Sequence, residues 1–296
     1  MNNRYQKAIE SSFLIDDREN NIVSFILNPP QNTMANIVAG MEVVRLMVLK
    51  ARKEGMTSFF LALFCLDFLT IARCESYVFA AIRDDSEKFL DKVRLYLNSN
   101  WQLNGGQGDF PLIENSKYKI VSKLNGAKFS IATASQKSSI RGGTPRNVLF
   151  TEFAFYPENN VQKMLAGAVN SVPFLPGTKV IIETTANGET YFKEKWDKAE
   201  AKKERKQKEI LKPVFFAAED FYTPGQLTQL HEQSESDELF RQEYPNTPEE
   251  AFITTGSPFF DMRSINAQKD ASKNREPIYK GDIAMNGTLF TQKENS

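Results

Sequence analysis

Short apolar runs alternate with longer apolar or amphipathic runs along most of the chain. The short runs, at residues 43–49, 77–82, 147–150 and 179–182, have the length of buried strands. Residues 59–72 form a longer apolar run, and residues 85–97 form an amphipathic run with acidic residues in its first turn, as is typical of helices. This alternation predicts an α/β fold in which a mostly parallel sheet is sandwiched by helices.

A hairpin and two polar strand ends refine this prediction. Residues 118–124 and 127–133 flank Asn125-Gly126, a strong hairpin-turn signal, so we expect two antiparallel strands there. The runs at 147–150 and 179–182 each end in polar residues. Because open α/β sheets bind ligands at the carboxyl ends of their parallel strands, these residues indicate where a site would lie.

The composition changes after residue 192, and we expect four parts in the chain. These are an N-terminal extension at 1–24, a core at 25–209, a small lid subdomain at 210–262 and a polar linker at 263–296. Prolines interrupt short apolar clusters throughout the lid segment, which is why we separate it from the core.

Residues 193–209 form a helix-compatible run rich in basic side chains. Two interpretations are open: a solvated helical face, which is the commoner case, and a strip that contacts nucleic-acid phosphates. The basic residues concerned are Lys198, Lys202, Lys203, Arg205, Lys206 and Lys208.

The overall composition is that of a soluble globular protein. Of 296 residues, 41% are hydrophobic and 25% are charged, and the 37 basic residues balance the 37 acidic ones. Any contact with nucleic acid must therefore come from a local patch. The only cysteines, Cys65 and Cys74, argue against a disulfide framework or a cysteine zinc site, and His231 is expected at the surface. We find no targeting segment, and the longest apolar run is too short to cross a bilayer, so we expect a cytoplasmic protein without membrane contact.

Residues 49–58 join an apolar strand to an apolar helix through a short loop. Such a loop places backbone N–H groups around an anion. Gly55 would let the backbone approach a phosphate, the Thr57 hydroxyl could hold Mg²⁺, and Lys50 and Arg52 could reach the phosphates. Met56 occupies the position of the usual lysine of a phosphate loop, so an ordinary strand-turn-helix is the alternative interpretation.

Two further strand ends carry candidate chemistry. Glu152 follows the strand at 147–150, where a carboxylate can orient the water that attacks a γ-phosphate. Thr151 stands where an aspartate often holds Mg²⁺ through water, and its hydroxyl could do so more weakly. Residues 183–188 follow the strand at 179–182, and their small polar side chains could sense the γ-phosphate or form a capped turn.

In this order, the segments resemble the ATPase domain of the large terminase subunit of tailed bacteriophages, the motor that packages DNA. The resemblance covers roughly residues 25 to 262 and depends on order and spacing. The matching segments are Asn28-Pro29-Pro30-Gln31, Lys50-Ala51-Arg52, Gly55-Met56-Thr57-Ser58, Arg141-Gly142-Gly143, Phe150-Thr151-Glu152-Phe153-Ala154-Phe155, residues 183–188 and Glu249-Glu250-Ala251-Phe252.

The resemblance implies a P-loop NTPase of the additional-strand (ASCE) class, which uses ATP and Mg²⁺. It assigns adenine recognition to Gln31, catalysis to Glu152 and the role of an arginine finger, reaching a neighbouring subunit's nucleotide, to Arg141. It assigns metal binding to Thr57 and Thr151. The phosphate-binding residues would be Lys50, Arg52, Lys53, Glu54, Gly55, Met56, Thr57 and Ser58, and the coupling residues Thr185, Ala186 and Asn187.

The same resemblance implies the partners. They are double-stranded DNA, a portal protein and the small terminase subunit. The chain would assemble into a homo-oligomeric ring at the portal in the host cell cytoplasm, and its subunits would be monomers in isolation. Nothing in the sequence resembles the nuclease domain of these terminases, so we expect an ATPase part separated from its nuclease by truncation or by a natural gene split. Two alternatives are open: a helicase-like DNA translocase, and a non-hydrolysing nucleotide-binding module whose phosphate loop has decayed.

Overall fold

The computed structural model describes residues 4–17, 19–134, 143–205, 210–252, 281–282 and 291–292, and divides the chain into a unit at 1–255 and a unit at 256–296. The strands are β1 Leu14–Asp16, β2 Ile22–Ser24, β3 Val44–Lys50, β4 Glu75–Ala80, β5 Leu112–Asn115, β6 Lys119–Ser122, β7 Lys128–Thr133, β8 Asn147–Thr151, β9 Lys179–Thr184, β10 Lys212–Phe216, β11 Gly281–Asp282 and β12 Thr291–Gln292. The helices are α1 Arg4–Ser12, α2 Pro29–Ala39, α3 Met56–Thr70, α4 Arg83–Leu103, α5 Glu158–Ser171, α6 Tyr191–Glu204, α7 Pro224–Glu232, α8 Asp237–Glu243 and α9 Pro248–Ala251.

An eight-stranded sheet forms the centre of the first unit, in the order β10-β3-β9-β8-β4-β7-β6-β5. Neighbours from β10 to β7 are parallel, and β6 is antiparallel to both of its neighbours, β7 and β5. Every residue of β3, β8 and β9 is buried, as expected for parallel strands covered on both faces. The sheet therefore confirms the predicted α/β class.

One strand separates the two strands that carry the candidate chemistry. β9 pairs with β3 on one side and with β8 on the other. The loop after β3 and the acid after β8 thus flank an inserted strand, which is the defining feature of the predicted additional-strand class.

Helices cover both faces of this sheet. Helices α1 to α4 contribute Ile9, Met34 and much of α3 to one hydrophobic cluster, while α5 and α6 contribute Leu165 and Trp196 to the other. α3 begins at Met56, three residues before the apolar run, because Met56, Thr57 and Ser58 form part of its first turn. The predicted sandwich of helices around the sheet is confirmed.

The predicted hairpin forms the antiparallel pair β6–β7. Its turn uses only one left-handed residue, Gly126, with φ +71°. Asn125 has a different function, since its Nδ2 donates to the Phe68 carbonyl, 2.8 Å away, and so ties the turn to α3. The Asn-Gly signal therefore predicts the hairpin but not this tertiary contact.

Two segments that the sequence assigned to the lid and to the N-terminal extension pack with the central sheet and its core. β10, which the sequence placed in the lid, is a strand of the central sheet, since it is parallel to β3 and in register with Leu46–Lys50. α1, in the expected N-terminal extension, buries Ile9 in the core, and Phe13, just after α1, is buried there too. The four predicted parts remain a prediction.

Helices α7, α8 and α9 follow the sheet, and a small cluster that includes Tyr222 and Ala51 joins this region to the loop after β3. In the second unit, β11 and β12 pair in antiparallel fashion. In the described part of the chain, no helix has the length and apolar character needed to span a membrane.

Candidate functional site

The carboxyl ends of β3, β9 and β8 bring the main candidate residues together. Lys50 is the last residue of β3, Glu183 lies next to the end of β9, and Glu152 follows β8 directly. Thr151 is paired with Glu183 across the sheet, so these three ends are adjacent. The site lies at the sheet edge that the polar strand ends predicted.

The loop between β3 and α3 has a backbone that requires glycine at residue 55. Gly55 has φ +76°, and a Cβ there would lie 2.7 Å from Nε2 of Gln31. In the described residues no side chain caps the N-terminus of α3, so its first N–H groups are available to an anion. Lys53 is exposed and also has a left-handed backbone, with φ +59°.

Two amides from the start of α2 hold this loop in place. Gln31 donates from Nε2 to the Gly55 carbonyl at 2.8 Å, and Asn28 donates from Nδ2 to the Glu54 carbonyl at 2.9 Å. Gln31 also accepts from the Asn28 backbone N–H, which completes a capping box. The described contacts of Gln31 therefore position the loop, and its role toward adenine stays a prediction.

Lys50 is buried between two carboxylates. Its Nζ lies 3.2 Å from Oε1 of Glu152 and 3.4 Å from Oε2 of Glu183. Burial alone would lower the pKa of Lys50, but Glu152 and Glu183 outweigh it and raise the pKa above its ordinary value. Lys50 is therefore a charged ammonium held at the end of β3.

Glu152 is held in an unusual backbone conformation with its carboxylate toward the neighbouring strand. It has φ +49°, and its Oε2 accepts from the backbone N–H and the hydroxyl of Thr185, at 3.2 and 3.3 Å. Burial raises the pKa of Glu152, but Lys50 and these hydrogen bonds outweigh burial and lower it. An ionised carboxylate in this position suits a general base.

Glu183 is a site residue to which the sequence assigned no role of its own. Its Oε1 accepts from the Thr57 hydroxyl at 2.6 Å, and its side chain is fully buried. Burial, reinforced by the charge of Glu152, raises the pKa of Glu183 above its ordinary value. The available signal was an acidic residue directly after the apolar centre of a strand-length run.

Glu54 is a buried acid inside the loop itself. Its side chain is completely buried, and neither carboxylate oxygen accepts a hydrogen bond within the described part of the chain. Burial raises its pKa to about 8, against the opposing effect of Lys50. Glu54 therefore retains a proton more readily than an ordinary glutamate.

No protein-family model and no curated protein matches the sequence significantly. Among solved structures, the chain is similar to the large terminase of bacteriophage HK97, with a TM-score of 0.63 and 14% identity over 89% of this chain and 57% of that one. It is also similar to the large terminase ATPase domain of Thermus phage P74-26, with a TM-score of 0.54 and 15% identity over 71% of this chain and 90% of that one. This chain has the fold of a phage large-terminase ATPase domain. The family resemblance is thereby confirmed at the level of the fold.

Within this terminase fold, the predicted coupling residues contact both the catalytic candidate and the helices after the sheet. Thr185 binds Glu152, and Asn187 donates from Nδ2 to the Ala154 carbonyl at 3.2 Å. The Ala186 carbonyl accepts from Nε2 of Gln242, a buried residue of α8, at 3.1 Å. These contacts join the end of β9 to two other parts of the molecule, while the coupling role stays a prediction.

Several predicted binding residues make other contacts. Arg52 donates to Oε2 of Glu243 in α8 at 2.9 Å, so its guanidinium is engaged with that helix. The Met56 side chain is buried in the core, and the Ser58 hydroxyl accepts from Nζ of Lys92 in α4 at 2.9 Å. The arginine-finger candidate, Arg141, lies outside the described residues.

The two predicted metal-binding hydroxyls differ in their partners. The Thr151 hydroxyl donates to the Phe79 carbonyl of β4, 3.3 Å away, whereas the Thr57 hydroxyl donates to Glu183. No group of three or more histidine, cysteine, aspartate or glutamate side chains in the described residues is arranged to hold a metal by itself. Metal binding here would depend on hydroxyl and phosphate oxygens as well.

The remaining candidates have ordinary environments. Cys65 and Cys74 are free, buried thiols, and His231 is half-exposed beside Asp237. In α6, Lys198 pairs with Glu194 and Lys203 with Glu200, as in a solvated helix face. Lys206 and Lys208 lie outside the described residues.

Proposed function

We propose that this chain is the ATPase motor of a viral DNA-packaging machine. It would hydrolyse ATP to ADP and phosphate and thereby drive double-stranded DNA into a procapsid. The observation that carries this proposal is a cluster of four side chains. Lys50, Glu152 and Glu183, at the carboxyl ends of adjacent parallel strands, meet Thr57 at the uncapped N-terminus of α3. The likeness of fold to terminase ATPase domains supports it.

The residues present fit a magnesium nucleotide. The N–H groups at the start of α3, the Gly55 backbone and the Lys50 ammonium are groups that bind phosphates. The Thr57 hydroxyl and the Glu183 carboxylate present oxygen atoms, which Mg²⁺ prefers as ligands. When bound, Mg²⁺ supplies positive charge that offsets the charge developing on the phosphates.

Each remaining residue has a proposed role in this reaction. Glu152 orients the attacking water and accepts its proton, because Lys50 and Thr185 keep its carboxylate ionised and in place. Gln31 recognises adenine, and its hydrogen bond to the Gly55 carbonyl holds the loop in place. Arg141 acts on the nucleotide of a neighbouring subunit.

The proposed partners follow from this activity. Subunits would form a ring at a portal protein and act with a small terminase subunit in the host cell cytoplasm. Because the net charge is zero, we place DNA binding on a local surface that the assembled ring creates or completes.

One observation favours a second candidate, a nucleotide-binding module without turnover. Met56 is buried in the core instead of presenting a cation, and the adjacent loop contains the acid Glu54. Both features weaken phosphate binding relative to a loop that has the usual lysine. Hydrolysis measurements distinguish the two candidates.

The test is steady-state ATP hydrolysis by the wild type and by Glu152→Gln, across protein concentration and with or without double-stranded DNA. We expect wild-type turnover to rise faster than linearly with concentration, and Glu152→Gln to lose about 10²-fold or more while still binding ATP. Glu249→Gln, an exposed carboxylate in α9, is the matched control and should retain activity. ATP binding without turnover after assembly would establish the second candidate. Strand separation stimulated by single-stranded DNA would instead establish a helicase.

A further inference from the structure

The Thr57 hydroxyl identifies the part of the site where a divalent cation would bind. In phosphate-loop enzymes, the hydroxyl at the start of the helix and an acid from a nearby strand end hold the metal together. Here the Thr57 hydroxyl donates to Oε1 of Glu183 at 2.6 Å. The metal-binding hydroxyl and a carboxylate are therefore already in direct contact, and that carboxylate belongs to β9.

The residue at the end of β8 is poorly suited to the same role. Thr151 lacks a carboxylate, its side chain is fully buried, and its hydroxyl donates to the Phe79 carbonyl on the opposite side from β9. A neutral hydroxyl is a weaker ligand for Mg²⁺ than a carboxylate, and this one is fully buried against β4. The site therefore needs its acid from another strand.

The second oxygen of Glu183 lacks a hydrogen bond although the residue is fully buried. Oε2 accepts no hydrogen bond from the described residues, and Lys50 Nζ is a more distant ionic neighbour at 3.4 Å. A buried acceptor without a hydrogen bond is costly, so such an atom requires an explanation. The Lys50 ammonium offsets part of this cost, and a ligand cation beside Oε2 would offset the rest.

We propose that Glu183, together with Thr57, binds the divalent cation of this site and takes the place of the acid that Thr151 cannot supply. This inference rests on the proposed function in that the cation accompanies a nucleotide. It also changes the role of β9, because the strand then provides the metal-binding acid and is followed directly by Thr185, the partner of Glu152.

The experiment measures binding of Mn²⁺ and of ADP to the full chain, without using turnover. Mn²⁺ binding is followed by electron paramagnetic resonance, alone and with ADP, and the ADP dissociation constant is measured by calorimetry in EDTA and in Mn²⁺. The variants are Glu183→Gln, which keeps an acceptor for Thr57, Glu183→Asp, which keeps the charge, Thr151→Val and Glu152→Gln. Circular dichroism confirms that each variant is folded.

We expect Mn²⁺ to increase the ADP affinity of the wild type by about tenfold, a coupling typical of linked ligands. Glu183→Gln should reduce this increase to less than about twofold and lose bound Mn²⁺, while Glu183→Asp should recover part of both. Thr151→Val should keep the full metal-dependent increase. Glu152→Gln should keep it too, and it controls for removing a carboxylate beside Lys50.

The outcomes separate the inference from the proposed function. Retention of the metal-dependent increase by Glu183→Gln, or its loss in Thr151→Val, would overturn the inference, as would a wild type that binds no Mn²⁺ either alone or with ADP. Mn²⁺ binding that depends on Glu183 in a chain that does not bind ADP would uphold the metal site and reject the ATPase proposal.

Discussion

The acids around Lys50 have different environments and therefore different protonation behaviour. Glu152 contacts Lys50 and Thr185, and its pKa is lowered, whereas Glu183 and Glu54 are fully buried and their pKa values are raised. One ammonium cannot offset the burial of several carboxylates, so the better-connected carboxylate is ionised most readily. This difference supports Glu152, and not Glu54, as the base.

Glu54 should make stability depend on pH. Its pKa is about 8 in the folded chain and close to the ordinary value of 4.5 when unfolded. Between these values the folded state binds more protons than the unfolded state, so the free energy of unfolding falls as pH rises through this window. We expect Glu54→Gln to remove this contribution and to be more stable than the wild type by about 2 kcal/mol or more at pH 8.

The measurement is urea unfolding of both proteins from pH 5 to pH 8.5. The stability difference should be small at pH 5 and should grow with pH, while the exposed control Glu249→Gln should track the wild type. A constant difference across this range would show that folding does not raise the pKa of Glu54.

At the scale of elements, β9 and α3 are joined by polar contacts at both of their ends. At the carboxyl end of β9, Glu183 accepts from Thr57 at the start of α3. At the amino end, Lys179 donates to Asp67 near the end of α3, at 2.5 Å. Thr57 and Asp67 are ten residues apart, which is about 15 Å along the helix, so the two contacts fix its position across the sheet.

The Lys179–Asp67 contact should contribute to stability without affecting the nucleotide site. Lys179→Met removes the main cation beside a buried carboxylate, although Asn147 still donates to it and Arg146 lies 3.6 Å away. We expect a loss of about 3 kcal/mol in the free energy of unfolding, since breaking a buried pair leaves a charge uncompensated. ADP affinity should not change.

Chemical denaturation and ADP calorimetry check this prediction. Lys198→Met is the control, because Lys198 forms an exposed pair with Glu194 within α6, and its loss should change the free energy of unfolding far less than the loss of Lys179. Equal losses of unfolding free energy in the two variants would show that the buried pair contributes no more to stability than the exposed pair.

At the scale of the whole molecule, the proposed site is incomplete within one subunit. The described residues contain the loop, the proposed base Glu152 and the proposed metal-binding acid Glu183, but the charge that would complete phosphoryl transfer is assigned to Arg141 of a neighbouring subunit. This arrangement would make turnover depend on assembly, since an arginine finger contributes about 10³ to 10⁵ in rate.

Mixing two inactive variants tests this dependence. Arg141→Ala should abolish turnover and leave ATP affinity nearly unchanged, and Glu152→Gln should do the same. A mixture of the two should recover activity, because an intact Arg141 from one subunit can then serve an intact Glu152 in another. An Arg141→Ala monomer that binds ATP much more weakly would place Arg141 in its own site, and a mixture without recovery would reject the shared site.

The periodicity and order of the segments were enough to predict most of the fold. The apolar runs became β3, α3, β4, β8 and β9, because a continuous apolar run is stable only when it is buried. β10 was assigned to the lid because Pro213 and nearby prolines favour irregular structure, yet it pairs in the sheet edge, where proline is tolerated.

The sequence by itself determined the strand-loop-helix order, the sheet class, the location of Lys50 and Glu152 at strand ends and that of Thr57 at the start of a helix, because these features follow from local pattern. Only the tertiary structure decided which side chains meet. It placed β9 between β3 and β8, which brought Glu183 to Thr57 and Lys50, turned Thr151 toward β4 and engaged Arg52 with α8. Glu183 and Thr57 are 126 residues apart in the chain, so no local pattern could relate them.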